Sequence, residues 1–250
     1  MFAKLFMLDC LTNLHVGNGD VNFNVIDNEV ERDPVTGYPT IHASGVKGAL
    51  RAYCQNGVMD TQDVNEIFGQ SAGNTSQGRV KFLCANLLAR PMRATKGSKA
   101  YYMVTTPDAM KLYKSLTTHF LGQVPPMKEP KKPGDAKGIE AEGFGITAVQ
   151  SPGSYECFSM READYRQVSL PVVARNSLGT VNPKNLWYEE IVPHESKFYF
   201  FALSDEQAQL EKLAKAIRGQ IIQFGGNASV GCGYCLVTEI TTGEGGAAHE

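Results

Sequence analysis

Short blocks of apolar residues, some alternating with polar ones, predict strands along most of the chain. The most apolar block, residues 196–203, is typical of a strand that is covered on both faces. Two further strands, 166–173 and 186–192, flank a polar turn at residues 175–179 and predict a projecting hairpin. The remaining predicted strands span residues 4–12, 79–87, 99–105 and a last strand that ends at Ile240.

A different spacing predicts a helix over residues 44–56. Its apolar positions recur at intervals of three and four residues, which is the period of one helix face. Ser44 is the candidate N-cap, and Gly57 is placed to end the helix. The apolar stripe consists of Val46, Ala49, Leu50, Tyr53 and Cys54.

The same spacing predicts a second helix after residue 204. Ser204 and Gln207 have the separation of a capping box, and Gly219 is placed to end the helix. A shorter helix is predicted over residues 107–117, capped near Thr106. The apolar positions of the second helix are Leu210, Leu213, Ala214 and Ile217.

The order of these elements predicts the fold class. Without insertions it reads strand, helix, strand, strand, helix, strand, which is the split β-α-β order of ferredoxin-like and RNA-recognition (RRM-like) α+β folds. We therefore expect a single domain over residues 1–240 and a flexible tail over 241–250. Insertions are expected at about residues 14–40, 94–165 and 173–190. Within the second, residues 122–153 hold 5 Pro and 6 Gly, which indicates a flexible or hairpin-like segment outside the core.

Composition excludes several classes of protein. The sequence has no apolar stretch of membrane-spanning length and no signal-peptide pattern, so we expect a cytoplasmic protein without membrane contact. Six cysteines are scattered, and a single close pair, Cys232 and Cys235, does not make a zinc site.

Charge is segregated along the chain although the net charge is only −2. Residues 79–137 hold 12 Lys and Arg against 3 Asp and Glu, whereas both flanking segments are acidic. This pattern favours a protein that grips a phosphate backbone with one face. A lysine-rich solvated loop would give the same pattern.

Two loops are candidates for chemistry. Residues 14–38, here called the acidic loop, carry five carboxylates and lead into a helix with Lys47 and Arg51 four residues apart. Cations near a helix start oppose its macrodipole, which favours an anionic ligand there, although two solvated cations are an equal alternative. Residues 225–233, here called the glycine loop, match no mononucleotide or dinucleotide motif but permit close backbone approach. The histidines are isolated, and His15 is the best candidate because it opens the acidic loop.

Several motifs together resemble one family. In chain order they are HVGNG (15–19), VIDNEVERDPVTGYP (25–39), GVKGALR (45–51), LPVVARN (170–176), LWYEE (186–190) and QFGG (223–226) continuing to Gly233. This set resembles the RAMP superfamily, and within it the repeated backbone subunits of type III-B (Cmr) CRISPR–Cas effector complexes.

The resemblance implies a function and its residues. Such a subunit binds CRISPR RNA, stacks with copies of itself and with other type III effector subunits, and cleaves complementary target RNA at regular intervals. A thumb hairpin displaces a base pair at each interval. The family's catalytic aspartate falls on Asp27, which would take the 2′-OH proton or help hold Mg²⁺ or another divalent cation. RNA binding is implied for His15, Lys47, Arg51, Arg175, Gly225, Gly226, Gly231 and Gly233.

Two alternatives remain open from the sequence. The first is a non-catalytic CRISPR RNA-binding scaffold, including a type III-A counterpart. The second is a stand-alone, guide-processing RAMP ribonuclease that uses histidine without a metal.

Overall fold

A computed structural model of the protein describes residues 1–19, 26–70, 76–130, 138–176 and 186–242. The helices are α1 (Ala43–Tyr53), α2 (Thr61–Phe68), α3 (Pro107–Leu121), α4 (Glu162–Tyr165) and α5 (Gln207–Ile217). The strands are β1 (Phe2–Cys10), β2 (Thr40–Ile41), β3 (Gly69–Gln70), β4 (Ser76–Gln77), β5 (Val80–Phe82), β6 (Ala85–Lys96), β7 (Tyr101–Thr105), β8 (Ile139–Ala141), β9 (Phe144–Val149), β10 (Cys157–Ser159), β11 (Val172–Asn176), β12 (Leu186–Glu190), β13 (Lys197–Ser204), β14 (Ile221–Gln223) and β15 (Tyr234–Ile240).

The large sheet is built around β1 and β13. These two strands pair antiparallel over their whole length, with Phe6 opposite Phe200 and the two rings stacked at 5.2 Å. β15 pairs with the other edge of β1, and β5 and β6 pair with the other edge of β13. From Phe198 to Ser204 every residue of β13 is buried, which confirms the prediction of a strand covered on both faces.

Helices cover both faces of this sheet. α1 and α5 bury their apolar stripes in one cluster with Phe6 and Phe200. α3 covers the opposite face, where Tyr113 packs edge-on against Tyr199. Each fully buried aliphatic or aromatic side chain contributes roughly 1.5–3 kcal/mol to folding. The apolar stripes predicted for α1 and α5 are confirmed, and so is the N-cap of α3 at Thr106.

Of the two forms predicted for residues 122–153, the hairpin is confirmed for residues 138–149, whereas their placement outside a core is wrong. Here β8 and β9 form a hairpin, and β8 pairs with the second half of β6. The pairings β6–β7–β10–β9–β8–β6 close a ring of five strands with its own apolar cluster, in which Ala141 is fully buried. These strands form because their backbones pair with β6 and with each other, although the surrounding sequence is rich in Gly and Pro. Residues 131–137 lie outside the described chain.

Several predicted boundaries are also wrong. Helix α1 begins at Ala43, because the His42 carbonyl accepts the first helical hydrogen bond from Val46, so Ser44 is not the cap. Ser204 does not cap α5. It is the last residue of β13, and its hydroxyl donates to the Arg79 carbonyl.

Two predicted strands are placed differently. Residues 79–87 divide into β5 and β6, since the pairing with β13 shifts by one residue between Phe82 and Asn86. The strand expected over 166–173 begins only at Val172, because the amides of Arg166 and Gln167 continue the turns of α4.

The chain thus combines α-helices with a large mixed sheet, as the α+β prediction required. The proposed extent of the domain, 1–240, stays a prediction, and most of the predicted tail, 243–250, lies outside the described residues. None of the described helices has the length and apolarity that crossing a membrane requires.

Candidate functional site

The predicted hairpin exists, with β11 and β12 as its arms. They pair antiparallel, with Arg175 opposite Trp187 and Val172 opposite Glu190. Arg175 therefore lies in a strand rather than in the expected turn. The connecting residues, 177–185, are outside the described chain.

Asp27 and Asn28 of the acidic loop lie along the free edge of β12. The amides of Asp27 and Asn28 both donate to the Tyr188 carbonyl at 3.1 Å, and the Glu190 amide donates to the Asn28 carbonyl at 2.9 Å. The Asp27 side chain also binds Tyr188, because its Oδ2 accepts the Tyr188 amide at 2.8 Å. Asp27 is therefore fixed on the hairpin by backbone and side-chain hydrogen bonds, and it remains partly exposed.

Glu190 ties the acidic loop to the base of the hairpin. It is 5% exposed. One carboxylate oxygen accepts from Arg32 at 2.5 Å, and the other accepts from the Val30 amide at 3.2 Å. Its own carbonyl lies 2.7 Å from Nδ1 of His15, which is 7% exposed. His15 is thus buried in the frame of the site.

The neighbouring Glu189 ties the hairpin to the glycine loop. Its carboxylate accepts from Arg175 Nε at 2.5 Å, Trp187 Nε1 at 2.8 Å and Asn227 Nδ2 at 2.9 Å. Burial acts to raise the pKa of Glu189, but the hydrogen bonds from Trp187 and Arg175 outweigh it, and the pKa lies below its ordinary value. This carboxylate is ionised at neutral pH.

The glycine loop approaches the chain's own backbone. A Cβ on Gly225 would lie 2.3 Å from the His15 carbonyl oxygen, and the Gly226 amide donates to that oxygen at 2.8 Å. The Gly233 amide donates to the Asn13 carbonyl at 2.8 Å, and the Gly231 amide donates to the Ala228 carbonyl at 3.0 Å. Three of the four amides proposed for RNA contact are therefore engaged within the chain.

The two cations of helix α1 take no part in the hydrogen bonds that join the hairpin, the acidic loop and the glycine loop. The side chains of Lys47 and Arg51 are partly exposed and form no hydrogen bond or ion pair with residues in the described ranges. The acidic loop reaches the start of α1 through Glu31, whose Oε1 lies 2.9 Å from Nε2 of His42. The structure thus brings Asp27, His15, Arg175 and the glycine loop together, with α1 following directly from the acidic loop.

Folding pairs part of the basic segment 79–137 with carboxylates, and the phosphate-binding face expected there stays a prediction. Five of its 12 cations pair with carboxylates elsewhere in the chain. These pairs are Arg79–Glu206, Lys81–Asp205, Arg93–Glu142, Lys96–Glu140 and Lys99–Glu156. Much of the segregated charge is therefore neutralised on folding.

The model of the RAMP superfamily matches residues 7–236 of the chain. The protein belongs to the RAMP superfamily.

Two proteins named as Cmr4 are similar to this RAMP protein. The CRISPR system Cmr endoribonuclease Cmr4 of Pyrococcus furiosus is 27% identical over 98% of this chain and 99% of its own length. The CRISPR system CMR subunit Cmr4 of Saccharolobus solfataricus is 30% identical over 46% of this chain and 38% of its own.

Solved structures share the fold. A chain of the type III-B Cmr-beta complex bound to cognate target RNA has a TM-score of 0.79 at 23% identity, with 96% of this chain and 97% of that chain covered. Oligomeric Cmr4 from Pyrococcus furiosus has a TM-score of 0.70 at 22% identity, with 96% and 98% covered.

A protein-only metal site is absent from the part of this RAMP chain that the structure describes, where no three His, Cys, Asp or Glu side chains are grouped to hold an ion. This includes the surroundings of Cys232 and Cys235. Asp27 alone does not enclose a cation. Mg²⁺ commonly takes one or two carboxylates and completes its shell with water and substrate phosphates. The residues present therefore fit only a site that the substrate helps to build.

The roles of Glu189 and Glu190 were not predicted from the sequence. The available signal was a pair of acids at the end of an apolar strand, with an arginine in the facing strand. Strand acids are usually exposed, so their burial could not be read from the pattern. The partners of Glu190, Arg32 and the Val30 amide, lie more than 150 residues away in the chain, so the pattern around Glu190 does not reveal them.

Proposed function

We propose that this RAMP protein is a repeated backbone subunit of a type III-B CRISPR effector complex, which binds CRISPR RNA and cuts complementary target RNA at regular intervals. One observation carries the proposal. Asp27, the position that matches the family's catalytic aspartate, is held on the hairpin by Tyr188 and is partly exposed. The near full-length similarity to a protein named as a Cmr endoribonuclease supports the same assignment.

The chemistry follows from the position of Asp27. RNA is cut when its own 2′ oxygen, in line with the adjacent phosphorus, forms a bond to that phosphorus while the P–O5′ bond breaks and the leaving 5′ oxygen takes a proton from water. Such positioning contributes roughly 7–11 kcal/mol. A nucleotide displaced by the hairpin supplies the bend. The Tyr188 amide holds Oδ2 of Asp27, which leaves Oδ1 to accept the 2′-OH proton.

A divalent cation is proposed as the cofactor. Bound beside Asp27 and completed by water and RNA oxygens, it would neutralise charge on the phosphate. The described chain supplies this ion with one carboxylate, so its affinity without RNA is expected to be low.

The remaining predicted residues divide into two groups. Lys47 and Arg51 are proposed to hold phosphates of the guide, since they have no competing partner among the described residues. His15, Arg175, Gly225, Gly226 and Gly233 are proposed to shape the RNA surface from within, because their contacts are internal. Gly231 is exposed in the glycine loop and is proposed to lie against RNA.

We infer a ferredoxin-like, split β-α-β core from the strand order β15-β1-β13-β5/β6, in which neighbours are antiparallel. The placement of α1 and α5 in one cluster on the same face supports it. We assign the β11–β12 hairpin as the thumb.

The proposed partners follow from the proposed class. They are CRISPR RNA, target RNA, further copies of this chain in a filament and other type III subunits, with the assembly acting in the cytoplasm. Sequence is read by base pairing between guide and target rather than by side chains.

The assembled complex provides the test. Asp27→Asn removes the charge but keeps an oxygen that accepts the Tyr188 amide, so the loop stays in place. We expect every cut to be lost while guide and target binding are unchanged. Glu29→Gln is the matched control, because it removes one charge from the same loop and leaves cutting intact.

Two outcomes would contradict the proposal. A wild-type complex that binds target and cuts nowhere with Mg²⁺ present would indicate a scaffold. Cutting by the isolated chain in EDTA that is lost on His15→Ala would indicate a guide-processing nuclease; the burial of His15 argues against it.

A further inference from the structure

A cleft lined by three arginines lies beside the base of the hairpin. It has a volume of about 530 Å³ and is bounded by the turn of residues 33–39 on one side and by residues 165–170 on the other. Its charged lining residues are Arg32, Arg90, Arg166 and Glu190. None of these was predicted as a binding residue from the sequence.

Arg90 is the unusual member of this group. It is 4% exposed, and its Nε is buried without a hydrogen-bond partner. One Nη donates to the Val168 carbonyl at 2.6 Å, and the guanidinium lies over the Tyr165 ring at 4.8 Å from its centroid. Buried cations normally have a hydrogen-bonded counter-charge. No carboxylate in the described chain hydrogen-bonds this one, and Glu142, which acts on it only through space, also pairs with Arg93.

The carboxylates around the cleft already have partners. Glu190 binds Arg32 and the Val30 amide. Glu162 binds the Tyr38 hydroxyl and the Asp108 amide, and Asp164 pairs with Arg161. On the neighbouring hairpin, Glu142 pairs with Arg93. Arg90 and the exposed Arg166 therefore leave the cleft with uncompensated positive charge.

The position of the cleft near Asp27 indicates which anion it could bind. Arg32, on its wall, and Asp27 belong to one segment that runs along β12, five residues apart, so their Cα atoms are at most roughly 18 Å apart. A stacked nucleic-acid strand advances roughly 3.4 Å per nucleotide. A strand whose scissile phosphate lies at Asp27 therefore has further phosphates within reach of the cleft. Guanidinium groups bind phosphate oxygens with two parallel hydrogen bonds.

We propose that this arginine cleft binds a phosphate of the target RNA strand a few nucleotides from the cut, with Arg90 and Arg166 as its ligands. The inference rests on the proposed function. The bound phosphate anchors the strand on one side of the displaced nucleotide, so that the strand stays bent at Asp27. Arg90 and Arg166 are positioning residues for the cut.

The test measures target binding by assembled complex that carries Asp27→Asn, so that no cutting interferes. Each phosphate contact that is lost should reduce the slope of log affinity against log salt by about 1. We expect this change, with affinity weakened roughly tenfold, for Arg166→Ala and for Arg90→Gln. Arg166 is exposed, so its variant tests the cleft without risk to folding. Arg79→Ala is the control, because Arg79 is an exposed arginine that pairs with the exposed Glu206 and does not line the cleft.

The possible results separate this inference from the proposed function. An unchanged salt slope in both variants would overturn the phosphate site even if wild-type complex cuts normally. Weaker self-association in sedimentation, with an unchanged salt slope, would assign the cleft to a carboxylate of a second copy and would also overturn it. A reduced slope in a complex whose wild type never cuts would support the cleft as a phosphate site and contradict only the proposed chemistry.

Discussion

Glu189 and Glu190 are adjacent on one strand and equally buried, yet they hold different parts of the site. Glu189 binds Arg175 within the hairpin and Asn227 of the glycine loop. Glu190 binds Arg32 and the Val30 amide, both in the acidic loop. Successive strand residues point to opposite faces, so two neighbours can fasten two separate loops to one hairpin. The hairpin therefore connects the glycine loop, on the proposed RNA-binding side, to the acidic loop, on the proposed cutting side.

The largest expected effect concerns the packing of the glycine loop. Gly233→Ala would place a Cβ 1.9 Å from the Phe224 carbonyl oxygen at a φ of +83°, so we expect a loss of roughly 3 kcal/mol or more in the free energy of unfolding. Gly231→Ala is the control: it has a similar φ of +82° and open space, and should cost about 1 kcal/mol. Urea unfolding of both variants measures the difference. Equal losses would show that close approach does not fix this loop.

The second prediction addresses the cutting side. Glu190→Ala leaves the Val30 amide without its acceptor and Arg32 without its counter-charge, although Arg32 keeps its hydrogen bond to the Gly37 carbonyl. Because Arg32 is also partly exposed, we expect a loss of about 2 kcal/mol in the free energy of unfolding. In the assembled complex, Glu190→Gln should slow cutting more than it weakens target binding. Single-turnover cutting and filter binding give the two quantities. An equal decline in both would mean that Glu190 does not serve the cutting side separately.

The third prediction addresses the glycine-loop side through pH. The pKa of Glu189 is lower in the folded state than in the unfolded chain, so its contribution to stability is present above about pH 4.5. It is lost as pH falls through the folded-state pKa. Glu189→Gln should therefore lower stability at pH 6 and reduce the further loss between pH 4.5 and 3. A variant with the wild-type pH dependence would show that other carboxylates account for it.

The smallest effect on stability is expected for α1. Lys47→Ala and Arg51→Ala remove charges without partners among the described residues, so we expect changes within about 0.5 kcal/mol. Guide binding should weaken, with the salt slope reduced by about 1 for each phosphate contact. Lys81→Ala, which removes a cation paired with Asp205, should leave guide binding unchanged. A larger loss of guide binding for Lys81→Ala than for the two α1 variants would indicate that the basic segment 79–137, rather than α1, holds the guide.

Local patterns predicted the parts of this molecule whose burial is set within one element. The stripe that includes Val46 and Leu50, and the block 196–203, identified α1 and β13 because periodicity alone decides which face is buried. The second hairpin arm was predicted for the same reason, whereas the first arm begins only at Val172, because Arg166 and Gln167 continue the turns of α4.

The remaining features depend on contacts that are distant in the chain. The ring of β6 to β10 forms because β8 reaches β6 across more than 40 residues, and no local pattern records that pairing. Arg79 and Lys81 could not be recognised as neutralised cations, since Glu206 and Asp205 lie far along the sequence. Asp27 was singled out by the family resemblance, whereas its hydrogen bond from Tyr188 emerged only from the fold.

The central claim is that each copy of the chain cuts target RNA with its own Asp27. Complexes reconstituted from wild-type and Asp27→Asn chains in known ratios test it directly, with every target fragment quantified at its own position. The account predicts that the yield at each position falls in proportion to the mutant fraction, while the positions and the bound guide are unchanged. Yields that do not depend on the mutant fraction would contradict it.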